Sequence, residues 1–81
     1  MKTIRTEDIN RILQETFPKS KIPKTIDGLK MGDFEEWDSL GNFNLLLAFE
    51  AFYGIRFSVE EMSLLRSISQ IILLLKKRNA T

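Results

Sequence analysis

The fold turns on WDSLGNFNLLLAFEAFYG, residues 37–54. At about 100° per residue this stretch reads as an amphipathic helix. Asp38 offers a side-chain cap and Ser39 begins the helix. Tyr53 ends it, and Gly54 supplies the left-handed residue that closes it. Leu45, Phe49 and Phe52 fall on one arc, with Leu46 and Tyr53 at its margin, and that arc suffices for a core. Leu40, Phe43 and Leu47 form a second arc beside Ser39. It faces either a covering loop or the outside.

Working outward, the N-terminal side holds a helix over about 6–17. Thr6 is placed to cap it, Glu7 and Asp8 suit its positive end, and Pro18 stops it. Ile9, Ile12, Leu13 and Phe17 share its inner face. Residues 18–37 contain two prolines, Gly28 and Gly32, and a connection that long is unusual in a compact domain. Ile22, Ile26, Leu29, Met31 and Phe34 can pin it to the helices, so it reads as an ordered wrap with room for one helical turn. On the C-terminal side a short helix over about 58–65 opens with Ser58 and Glu61 in capping-box spacing. Ser67 and Gln70 repeat that spacing before a helix over about 67–78, whose basic last turn complements the dipole.

Leucine and isoleucine supply twenty residues and valine only one, which favours helices over strands. The expectation is an all-α fold: a four-helix bundle with a short third helix and a long first loop, one domain over residues 1–81. Its core should contain Ile9, Leu13, Leu45, Phe49, Phe52, Ile68, Ile71 and Ile72. No apolar run approaches the roughly 20 residues of a membrane span, and residues 1–6 do not resemble a signal peptide. A soluble, cytoplasmic, monomeric protein is expected.

The chain has no histidine and no cysteine. It therefore lacks the usual base near neutral pH, thiol chemistry, and the common zinc ligands. The expectation is that it is not an enzyme. Net charge is +1, but the charge is uneven. Residues 33–61 hold seven carboxylates against Arg56 alone, between basic ends. That pattern, with no basic residue on the second helix, argues against a nucleic-acid partner and fits one that brings positive charge to the middle.

The candidate site is Ser39. A serine in the first turn of a helix lies beside unpaired backbone N–H groups, which favour an attached phosphate by about 0.3–1 kcal/mol at an exposed position. The residues imply a phosphodiester on Ser39 Oγ. Gly41 is read as leaving space for a bulky group against the helix. The alternative is that Asp38 and Ser39 merely start a helix.

The triplet Asp38-Ser39-Leu40 follows a long loop and opens an amphipathic helix. That helix runs into Phe52-Tyr53-Gly54-Ile55-Arg56-Phe57, then a short acid-capped helix and a last apolar helix. In this arrangement the chain resembles the acyl carrier and peptidyl carrier protein family over nearly its whole length. The resemblance implies that a phosphopantetheinyl transferase moves 4'-phosphopantetheine from coenzyme A onto Ser39. The arm's thiol would then carry an acyl or aminoacyl group as a thioester between loading and downstream biosynthetic enzymes. Carriers of fatty-acid synthesis display several carboxylates on the second helix. Here Glu50 is the only one, Asn42, Asn44 and Ala51 stand where charge is usual, and Trp37 precedes Asp38. The likeness is thus closer to carriers dedicated to one pathway.

The partner-binding surface is expected to comprise Asp38, Leu40, Phe43, Leu47, Glu50 and Glu60: an apolar centre with an acidic edge, to which Glu61 also belongs. An alternative is an adaptor of the same fold that is never modified and acts only through protein contacts.

Overall fold

A computed structural model describes residues 3–79. Four helices follow in order: α1 Thr6–Thr16, α2 Ser39–Tyr53, α3 Val59–Leu64 and α4 Ile68–Asn79. The described residues form no strand; a single antiparallel bridge joins Lys30 and Ser67. The protein is all-α.

Each helix end has a local cause. Asp38 sits in extended backbone, and its Oδ1 accepts the Gly41 N–H at 2.8 Å. At the other end Gly54 is left-handed, with φ 66°, and donates its N–H to the Glu50 carbonyl. α3 is only six residues long and opens with a complete capping box between Ser58 and Glu61. α1 differs from expectation. Arg5, not Thr6, occupies the N-cap and makes no side-chain cap bond; Thr6 is already helical, and the acids behind it meet the dipole. At α4, Ser67 Oγ accepts the Gln70 N–H, but Gln70 returns its bond to the Arg66 N–H rather than to Ser67.

The inner face of α1 (Ile9, Ile12, Leu13) packs with Leu45, Leu46 and Phe49 of α2 and with Ile68, Ile71 and Leu75 of α4. Phe52 and Ile72, expected in the core, are half-buried and pack against its edge. The buried face of α2 is rotated toward Gly41, Asn42, Leu46 and Tyr53, because the long loop adds a second packing partner. That loop contains turns but no helix. Ile26 is buried, and Ile22, Leu29, Met31 and Phe34 lie half-buried against the core.

The wrap ends in an aromatic cluster. Trp37 is fully buried and stacks on Phe17 at 5.6 Å and on Phe34 at 6.2 Å between ring centres. Burying a ring of that size supplies much of a small core's stabilisation, so the start of α2 is held firmly. Two main-chain bonds, Met31 N–H to Arg66 O and Ile68 N–H to Leu29 O, strap the loop to the α3–α4 junction.

Candidate functional site

The loop, α2 and α3 meet at Ser39. Ser39 is exposed, as are Asp38 and Leu40 beside it. Ser39 opens onto a groove of about 340 Å³. Met31, Phe43, Leu46, Val59 and Met62 give its apolar walls; Asn42, Ser63 and Arg66 are its other polar members. A second depression adjoins it past Arg66 and is bordered by Lys30, Ser67 and the first turn of α4.

A buried polar chain ties α2 to the loop and to the residue that follows α3. Trp37 Nε1–H donates to Asn42 Oδ1 at 2.9 Å, and Asn42 Nδ2–H donates to the Leu65 carbonyl at 2.9 Å. Asn42 is the buried polar side chain of the core. Buried amides need partners, and these two hold α2 at a fixed distance from the end of α3. Asn42 stands where carriers of fatty-acid synthesis usually carry charge, yet here it is buried.

Gly41 has a different role from the one its sequence position suggested. It is buried, facing the loop rather than the outside. A Cβ there would lie 2.0 Å from the Glu36 carbonyl oxygen and 3.1 Å from Phe17 Cε1. The glycine lets the backbone before Trp37 cross the first turn of α2.

The second arc of α2 is not covered by the loop: Leu40 is 69% exposed, Phe43 47% and Leu47 41%. Phe43 forms part of the groove wall, while Leu40 and Leu47 lie outside its lining. The expected acidic edge divides. Glu60 is exposed. Glu50 Oε2 instead accepts the Phe57 N–H at 2.7 Å, which ties down the turn after α2. Glu61 completes the α3 cap and pairs with Arg78 at 2.6 Å. Those two contacts, the Ser58 backbone N–H first and then the Arg78 guanidinium, hold its carboxyl below the usual range. Beside the second depression the Lys30 backbone N–H, reinforced by its ammonium, likewise lowers Asp33.

Ser39 and Phe43 are therefore joined on one groove. Its further members Val59, Met62 and Ser63 share a helix face at spacing i, i+3, i+4, a signal present in the sequence once α3 is placed. Met31 and Arg66 carried no such signal. Their places depend on the loop strap.

An exposed serine in the first turn of a helix, opening onto a groove with apolar walls, could hold a phosphate-linked chain such as phosphopantetheine. Comparison of the chain with protein-family models, with curated proteins and with solved structures returns no match.

Proposed function

We propose that the protein is a carrier of the acyl-carrier type that receives 4'-phosphopantetheine on Ser39. The observation that carries this reading is the position of Ser39. It is exposed in the first turn of α2, behind the Asp38 cap, at the mouth of an apolar groove between α2 and α3.

On this reading Ser39 Oγ attacks the phosphate of coenzyme A that bears pantetheine. One P–O bond forms, the diphosphate linkage breaks, adenosine 3',5'-bisphosphate leaves, and the hydroxyl proton passes to a base of the transferase. The chain is not itself an enzyme. When bound, the arm supplies a thiol that holds an acyl or aminoacyl group as a thioester. The chain's own residues present and orient. Asp38 fixes the first turn, Gly41 and Trp37 lock the loop behind it, and the Trp37–Asn42–Leu65 chain ties α2 to the residue that follows α3. Leu40, Phe43 and Leu47 give the transferase and later enzymes an apolar contact, with Glu60 near the rim of α3. The exposed arc would serve equally in an unmodified adaptor, and one experiment separates the two readings.

The protein is incubated with coenzyme A and a broad-specificity phosphopantetheinyl transferase, and its intact mass is measured. A gain of one phosphopantetheine, absent in Ser39→Ala, is expected. No gain in folded protein would leave the adaptor.

A further inference from the structure

Ser39 and Arg66 line the same groove, and the charge around Ser39 is lopsided. Asp38 and Glu35 precede it in the chain, Glu36 being engaged by the Lys19 N–H and the Ser20 hydroxyl, while Arg66 is the one basic residue among the described lining residues. Although exposed, Arg66 is fixed at three points. Its N–H donates to Gln70 Oε1 at 2.9 Å, its carbonyl accepts from Met31 N–H at 2.8 Å, and its Nε–H donates to the Ser63 carbonyl at 3.3 Å. The ion pairs among the described residues leave its terminal amino groups without a carboxylate, whereas neighbouring Lys30 is paired with Asp33. A guanidinium held at Nε with its terminal nitrogens open presents a planar fork of donors, which suits a phosphate.

We propose that Arg66 anchors the phosphodiester on Ser39, drawing it across the groove and away from the Asp38 carboxylate, so that the arm lies along the α2–α3 groove. This rests on the carrier reading above. Arg66 is a positioning residue, and no bond forms or breaks at it. The phosphate is its partner rather than a carboxylate of some cargo, because the phosphate is tethered at the groove mouth whatever the cargo. Tethering gives it a high effective concentration there.

The test uses unmodified and phosphopantetheine-loaded protein, with loading verified by mass, and reads two resonances: the Arg66 Nε–H cross-peak and the phosphorus signal. On loading, the Arg66 cross-peak should shift. In loaded Arg66→Gln the phosphorus signal should move toward that of free pantetheine phosphodiester. Rising salt should move both wild-type signals back toward their uncoupled positions, and Lys30→Gln should change neither. A mass gain with both signals indifferent to Arg66 and to salt overturns this inference and leaves the carrier reading standing. No mass gain in folded wild-type protein overturns both. Should Arg66→Gln lose its helical circular dichroism, the wild-type salt titration decides: signals that do not move together refute the anchor.

Discussion

At Gly41, an alanine methyl would meet the Glu36 carbonyl at 2.0 Å. Backbone must shift to admit it, and overpacking of this kind costs about 1–3 kcal/mol or more. Urea unfolding of Gly41→Ala should show a clearly lowered midpoint, whereas Gly41 held open only for an outside ligand would tolerate the change. Asn42 gives a second prediction. Asn42→Ala strips partners from the Trp37 indole N–H and the Leu65 carbonyl, so a loss of about 1–3 kcal/mol is expected by chemical denaturation. Tyr53 is the counter-case. Its hydroxyl is buried without a hydrogen-bond partner. Burial first and the Asp8 charge second raise its pKa, with the nearby Arg5 backbone working against them. Tyr53→Phe removes an unmatched polar group, and its midpoint should equal or exceed that of the wild type. These sites differ in legibility. Ser39 and its cap could be read from the local string, because a helix start is a short-range property. The partners of Gly41 and Asn42 could not, because the Glu36 backbone and Leu65 reach them only once the loop has folded over α2.

Among the elements, α3 depends most on its termini, since six residues make too few internal bonds to be helical alone. Glu61 holds it twice, through the capping box and through Arg78 of α4. Its folded pKa lies below the ordinary 4.5. A depressed carboxylate stabilises the fold above its unfolded pKa, and that stabilisation disappears as pH falls through the lowered folded value. Wild type should therefore exceed Glu61→Gln in urea midpoint at pH 7. The gap should narrow below pH 4.5 and close once Glu61 is protonated in both states; a gap that persisted undiminished would refute the assignment. The two carboxylates expected beside Glu60 as an acidic edge thus act within the fold. The sequence showed Glu61 in capping-box spacing, but nothing in it placed Arg78 across from α3, and the link from Glu50 to Phe57 spans seven residues around a turn.

Across the whole molecule the exposed arc of α2 is the prominent apolar surface beside the candidate site. Exposed apolar patches often serve as interaction surfaces; on the carrier reading this arc is the docking surface, and with Glu50 and Glu61 engaged in the fold, direct apolar contact should count for more than long-range attraction. Leu47→Ala is expected to slow transfer of phosphopantetheine to Ser39 more than Glu60→Gln does, both variants being checked for folding and assayed across a range of salt. Glu60→Gln as the more damaging change would assign docking to charge; Glu50 is no clean probe, because it holds the Phe57 N–H. By itself the sequence determined the all-helical class, both ends of α2, the start of α3, and the exposed Ser39, since periodicity, caps and breakers act within a turn or two of where they stand. Only the tertiary structure decided that Gly41 faces the loop, that Asn42 is buried between Trp37 and Leu65, and that Arg66 stands on the groove of Ser39. Those facts depend on where the connection over residues 17–38 lies across three helices, and that is settled by summed side-chain packing that no local pattern encodes.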